Sequence, residues 1–183
     1  MLTNSLSRYG IISIIFHWLV AVSVFIMFTL GYWMVDLTYY SSWYRLAPWW
    51  HKSIGVLLFA VVMLRLLWKT FNITPLPVST HSLLEQRLAR LAHLLLYLLL
   101  VAVMLSGYLI STADGRAIAV FDWFSLPGAG ELFTGQADIA GVFHQYLAYT
   151  LIGLSLLHTA AALKHHFIDK DVTLKRMFGH SAR

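Results

Sequence analysis

The chain has 183 residues, of which 59% are hydrophobic and only 11% are charged, and its mean hydropathy is +0.71. A soluble domain normally has about a quarter of its residues charged, so this composition excludes an ordinary soluble protein and indicates that the bilayer is its solvent. Because the chain has no cysteine, disulfides and thiolate-held metal centres are excluded. The net charge of +5 does not indicate nucleic acid, since the basic residues stand at the ends of apolar runs.

Four stretches are long and apolar enough to cross a bilayer, which takes about 20 residues. They are residues 11–35, 52–71, 89–111 and 143–163. Their apolar runs lack the two-residue alternation of a membrane strand, so all four are predicted to be helices. We therefore expect an all-α integral membrane four-helix bundle that forms a single domain over residues 1–183.

The basic residues orient this bundle, because lysine and arginine concentrate on the cytoplasmic side of bacterial membrane proteins. Most of the thirteen fall on the side of the N-terminus, the second loop and the tail: Arg8, Arg65, Lys69, Arg87, Arg90, Lys164, Lys170, Lys175, Arg176 and Arg183. The other side has Arg45, Lys52 and Arg116. Both termini are therefore predicted to be cytoplasmic.

Histidines occur in or at the edge of every span, and an imidazole inside a membrane is expensive unless it has a partner. In chain order they are His17, His51, His93, His144 and His158. The two in the last span lie 14 residues apart, which is about 21 Å of helix rise and returns to within about 40° of the same direction. One helix is thus expected to give one axial ligand to each of two b-type haems at different depths.

Each haem needs a second histidine at the matching depth, and two filled axial sites suit electron transfer. At the outer level only His51 is available to His144. At the inner level His17 and His93 compete for His158, and spacing alone leaves both open.

Five further residues are candidates for supporting roles. Gly55 lies one turn after His51 and removes side-chain bulk on that face, although a glycine in a membrane helix more often serves close helix packing. Arg65 is expected either to pair with an inner haem propionate or to extend to the headgroups. Lys52, together with Arg45 and Arg116, is a candidate for an outer propionate or for attracting an anion.

The remaining histidines, His81, His165, His166 and His180, are expected to be solvated and have no predicted ligand role. The tail from Lys164 alternates basic and apolar residues, which is typical of a short amphipathic segment on an anionic leaflet.

Several short motifs in this sequence resemble the bacterial cytochrome b561 family, including its branch related to the membrane superoxide:ubiquinone oxidoreductase. The motifs are Ile14 to Leu19 around His17, His51-Lys52-Ser53-Ile54-Gly55, Leu91-Ala92-His93-Leu94 with Tyr97, and His158 to Met177. Each is weak alone, but their order and spacing over all four spans are specific.

The resemblance implies a bundle in the bacterial inner membrane that binds two haem b groups and exchanges electrons with ubiquinone or another quinone. It implies that His17 pairs with His158 and His51 with His144, while His93 is not an axial ligand. It also implies a periplasmic electron donor or acceptor, with superoxide as one candidate. The chain is similar as well to the cytochrome b subunits of hydrogenases and formate dehydrogenases, which dock to larger redox partners.

Two rival hypotheses remain at this stage. One is a membrane anchor subunit that relays electrons for a larger complex, with residues 112–142 as its docking surface. The other is a proton or metal-ion transporter in which the histidines act as relays. The four spans contain no Asp or Glu, which argues against the transporter.

Overall fold

A computed structural model describes residues 1–78 and 80–180 and is mostly helical. Its elements are α1 (Ile11–Met34), α2 (Leu46–Phe71), α3 (Leu83–Thr112), β1 (Ile118–Val120), β2 (Phe124–Leu126), α4 (Gln136–Phe167) and α5 (Thr173–Arg176). In this part of the chain α1, α2, α3 and α4 are long and apolar enough to span a membrane, which confirms the prediction of an all-α four-helix membrane fold. Arg183, counted above with the basic residues, lies outside the described residues.

Large apolar side chains cover the outside of the long helices. Val22 is 54% exposed, Leu98 57% and Leu157 69%. In water such continuous apolar surface would drive aggregation, whereas lipid tails solvate it. The exposed faces therefore belong to a protein whose solvent is the bilayer.

Three of the long helices begin earlier than their apolar runs, because a helix starts at its cap and not at the first apolar residue. Ser82 and Glu85 form a capping box at the start of α3: the Ser82 backbone N–H donates to Glu85 Oε2 (2.9 Å), and the Glu85 N–H donates to Ser82 Oγ (3.2 Å). Gly135, with φ of 73°, immediately precedes α4. The buried Gln136 amide then donates to the Leu109 carbonyl at 2.9 Å.

The loop between α3 and α4 contains an antiparallel hairpin of β1 and β2, which the sequence analysis did not predict. Ser53, fully buried on α2, docks this hairpin: its Oγ accepts from the Phe121 N–H (3.2 Å) and donates to the Ala119 carbonyl (3.4 Å). The Phe121 ring packs edge-on against Trp49 and Trp50. These tryptophans thus pack the turn of the hairpin against the start of α2.

The chain divides into two compact units. The terminal unit comprises the described parts of Met1–Ala21, Val61–Leu98 and Gly153–Arg183, and the hairpin unit comprises Val22–Ala60 and Leu99–Ile152. A single domain over residues 1–183 stays a prediction.

Within the terminal unit, both ends of the chain are fixed by hydrogen bonds. The Asn4 side chain accepts from the Gly10 N–H (2.9 Å) and donates to the Ile73 carbonyl (2.8 Å). In the tail, Arg176 is only 7% exposed, and its Nη1 donates to the Leu76 carbonyl at 2.7 Å. Within the predicted amphipathic segment, Arg176 therefore bonds to the loop before α3 instead of facing solvent or lipid headgroups.

Two of the histidines expected to be solvated are also largely buried. The side chain of His81 is 15% exposed and that of His165 14%, because the loop before α3 packs against the segment that follows α4. The prediction of solvation is wrong for both, whereas His180 is exposed as expected.

Candidate functional site

In the hairpin unit, His51 of α2 and His144 of α4 face each other. Their ring centroids lie 6.2 Å apart. These are the two residues that the sequence predicted as the outer ligands, and they belong to different helices, as a pair of axial ligands requires.

The His144 ring is held in one orientation by α3. Its Nδ1 lies 2.9 Å from the Val103 carbonyl oxygen and 3.1 Å from Ser106 Oγ, which itself donates to the same carbonyl at 2.8 Å. A carbonyl only accepts, so this contact places the proton on Nδ1 and leaves the lone pair of Nε2 free for a metal. Sequence reasoning missed Val103 and Ser106, because a backbone acceptor leaves no signature in a sequence.

Two glycines make room for these rings. A Cβ added at Gly31 of α1 would lie 3.0 Å from His51 Cε1, and one at Gly107 of α3 would lie 3.1 Å from His144 Cε1. Both distances are tighter than ordinary carbon contacts, so each glycine fits a ring directly against helix backbone. Their position within apolar spans was a signal available in the sequence, but it is shared by glycines that serve helix packing alone.

The His51 ring has no comparable anchor among the described residues. Its Nδ1 is buried and finds no hydrogen-bond partner there. Burying an imidazole without compensating bonds is costly. A metal bond made by this ring would offset part of that cost.

In the terminal unit, three histidines converge. The His158 centroid lies 6.5 Å from that of His17 and 5.2 Å from that of His93. His17 and His93, the two candidate partners that the sequence left open for His158, therefore both lie beside it.

Arg65 completes this cluster. Its Nη2 lies 3.3 Å from His17 Nδ1, and its guanidinium carbon lies 5.3 Å from the centre of the Tyr97 ring. Because a guanidinium only donates, this contact makes Nδ1 the acceptor and places the ring proton on Nε2. For His17 to bind a metal through Nε2, Arg65 must leave Nδ1 and find another acceptor.

The histidine pairs fit a metal held between two imidazoles. With metal–nitrogen bonds of about 2 Å and ring centres about 1 Å beyond the nitrogens, two such rings have centroids about 6 Å apart. The centroid distances of 6.2 Å between His51 and His144 and of 6.5 Å between His17 and His158 agree with this value. The 5.2 Å between His93 and His158 is shorter than expected. A donor set of paired imidazoles is the one used by electron-carrying haems.

The remaining candidates lie as follows. Lys52 and Arg45 are exposed, and the Arg116 guanidinium is paired with the Asp114 carboxylate, whose pKa it lowers. Gly55 faces Met27 Cε, which would lie 3.7 Å from an added Cβ. This is ordinary van der Waals contact, so the geometry assigns Gly55 to packing between α1 and α2.

Comparison with known proteins gives a consistent result. Residues 8–180 match the model of the family described as prokaryotic cytochrome b561. The chain is 52% identical to cytochrome b561 homolog 2 of Escherichia coli K12, with 98% of this chain and 96% of that protein covered. It is 31% identical to a probable superoxide oxidase, CybB, of Yersinia pestis, with 93% and 95% covered.

Proposed function

We propose that this chain, which belongs to the prokaryotic cytochrome b561 family, holds two haem b groups and passes electrons between a periplasmic partner and membrane quinone. Its family makes it a multi-pass membrane cytochrome b that transfers electrons. In this proposal it lies in the bacterial inner membrane with both termini cytoplasmic. The family membership favours electron transfer over a histidine-relay transporter.

The spacing of the two histidine pairs is the observation that carries the two-haem proposal. Each pair has the centroid separation expected of two imidazoles on one iron, and the pairs share no residue. His144 and His158 are separated by 14 residues of α4, so the interval in the sequence still predicts ligands at two depths.

The protein's own contribution is to hold ligand rings in place. Haem b would supply a one-electron carrier, and the four histidines of the two pairs would hold it. The Val103 carbonyl fixes the tautomer of His144 and raises its basicity as a ligand. Gly31 and Gly107 keep space for the His51 and His144 rings against the backbones of α1 and α3.

Haem counting in variants tests the pairing. The wild-type protein, purified in detergent, should show b-type bands on reduction and about two haems per chain. His144→Ala and His17→Ala should each retain about one haem, and redox titration should show that a different haem remains in each. His93→Ala is the matched control, and it should retain both.

A colourless wild-type protein would refute the proposal. If His144→Ala and His17→Ala lost the same haem, the pairing would be wrong. If His93→Ala lost a haem and His17→Ala did not, His93 would be the inner ligand.

For the periplasmic substrate we propose superoxide. The support is the similarity over most of the chain to the probable superoxide oxidase of Yersinia pestis, together with the exposed cations Arg45 and Lys52. Two superoxide anions become two O₂ molecules and release two electrons, and quinone takes these electrons with two protons to form quinol. An exposed cation would speed the encounter with the anion.

An assay with enzymatically generated superoxide and a soluble ubiquinone analogue tests this substrate. Lys52→Gln should lower the rate, and the loss should shrink at high salt because screening removes the attraction. The double change Asp114→Asn with Arg116→Gln is the matched control, because it removes an exposed ion pair and leaves the net charge unchanged. Quinone reduction that needs an added protein partner, with none from superoxide, would instead support an electron-relay anchor subunit.

A further inference from the structure

A second group of histidines lies outside the paired rings, where the loop before α3 meets the last turn of α4 and the segment after it. It consists of His81, His165 and Asp171, and one possible ligand atom from each lies within 4.8 Å of the others. We propose that these three residues form a binding site for a divalent transition-metal ion of the zinc class, separate from the haem ligands. We call the three residues the loop–tail triad.

The distances within the loop–tail triad are close to those of a zinc site. Asp171 Oδ2 lies 2.7 Å from His81 Nε2 and 3.5 Å from His165 Nδ1, and the two ring centroids are 4.3 Å apart. Ligands at about 2.05 Å from a tetrahedral zinc lie about 3.3 Å from one another. The distance from His165 to Asp171 already matches, and the distance from His81 to Asp171 needs a shift of roughly half an ångström. The ligand atoms of His81 and His165 lie within 4.8 Å of each other, so a metal would have to draw the two rings together if they start near that limit.

The contacts of Asp171 orient it as a ligand. Its Oδ1 accepts from the Thr173 N–H at 2.7 Å, which fixes the carboxylate and leaves Oδ2 facing the two rings. Metal-binding carboxylates are typically held in this way by a neighbouring donor. Asp171 is also buried, with its side chain only 4% exposed, so the oxygen is little hydrated.

His165 has an unsatisfied nitrogen at the centre of the cluster. Its Nδ1 is buried and lacks an aligned hydrogen-bond partner among the described residues, although carboxylate oxygens of Asp169 and Asp171 lie 2.7 Å and 3.5 Å away. In the metal-free protein this nitrogen would carry a proton and face Asp169, and a bound cation would replace that proton between the ring and the carboxylates.

The charge around the loop–tail triad favours a cation. Glu85, Asp169 and Asp171 bring three carboxylates to this region, and Lys164 brings one ammonium group. Lys164 pairs with both Glu85 at 3.1 Å and Asp169 at 2.7 Å, but its single positive charge offsets only one of the three negative charges. The region therefore keeps a net negative charge, and the fourth position on the metal is open to Asp169 or water.

Two imidazoles and a carboxylate form a borderline-soft donor set, which suits zinc and related ions better than magnesium or calcium. The same residues without a metal would act only as a hydrogen-bonded link between loop and tail. The two alternatives differ in one respect: only the metal site makes stability depend on added Zn²⁺.

The test uses the full haem-loaded chain, purified without a polyhistidine tag, treated with a chelator and then titrated with ZnCl₂ alone. We expect about one Zn²⁺ retained per chain after gel filtration and a rise in the thermal midpoint. His81→Gln and Asp171→Asn should each weaken binding by about tenfold or more. His166→Gln is the matched control, because it removes the neighbouring imidazole, which is outside the loop–tail triad.

The haem-to-chain ratio of each variant shows whether it has folded, and His81→Gln should keep the wild-type ratio. If the wild-type chain retains no Zn²⁺, or if both triad variants retain as much as wild type, the proposal is overturned. Equal loss in His166→Gln would also overturn it, because the binding would then not depend on these three residues. Since haem content is read separately, failure here leaves the two-haem proposal untouched.

Discussion

Nδ1 of His144 lies 2.9 Å from the carbonyl oxygen of Val103, and this contact fixes which nitrogen of the ring is free to bind iron. The partner ring, His51, has no such anchor among the described residues and is positioned by packing against Gly31. The two proposed ligands of one haem are therefore held differently, one by a hydrogen bond and one by shape. Substitutions that crowd the rings should accordingly be sensitive tests of the site.

Gly107→Ala should reduce haem occupancy in the hairpin unit. The added Cβ would lie 3.1 Å from His144 Cε1, so the ring must tilt away from its bond to Val103. We expect the haem-to-chain ratio to fall from about two towards about one. Gly55→Ala is the matched control, because its Cβ meets only Met27 at 3.7 Å and should leave the ratio unchanged.

Arg65→Gln should lower the midpoint potential of the haem proposed to lie between His17 and His158. Removing a partly buried positive charge favours the ferric state, and a loss of on the order of 1 kcal/mol corresponds to about 40 mV for one electron. Redox titration measures this, with Arg90→Gln at an exposed position of α3 as control. An unchanged potential with both haems bound would show that Arg65 does not act on that haem.

Ser82→Ala should destabilise the start of α3. The substitution removes the hydroxyl that accepts from the Glu85 N–H and donates to its carboxylate, at a cost of about 1 kcal/mol. The thermal midpoint should fall by a few degrees with the haem spectrum unchanged. Thr80→Ala, at an exposed position before the cap, should have no effect.

Ionisation of Tyr9 should destabilise the folded protein at alkaline pH. Burial raises the pKa of its phenol, an effect that Arg176 partly opposes. The unfolded chain ionises near pH 10, so this contribution to stability is fully present below pH 10 and is lost as pH rises through the raised folded pKa. Thermal melting between pH 8 and 11 should show a smaller alkaline loss in Tyr9→Phe than in wild type.

The sequence by itself determined the class of protein and predicted which histidines are candidate ligands. Apolar runs of spanning length specify membrane helices, because the bilayer requires internally bonded backbone, and that part of the prediction is confirmed. The prediction that His144 and His158 lie on nearly the same side of one helix, at different depths, follows from their 14-residue interval and helical periodicity alone. The ends of the helices were harder to predict from apolar runs, since the Ser82–Glu85 capping box lies before the run in α3.

Only the tertiary structure decided how these residues meet. That Gly31 and Gly107 lie against the rings, while Gly55 does not, depends on the rotation of each helix about its own axis. The burial of His81 and His165 beside Asp171 depends on contact between the loop before α3 and the last turn of α4 with the segment after it. His81 and His165 are 84 residues apart in the chain. Periodicity describes one helix at a time, and contacts between distant segments arise from packing that no single segment encodes.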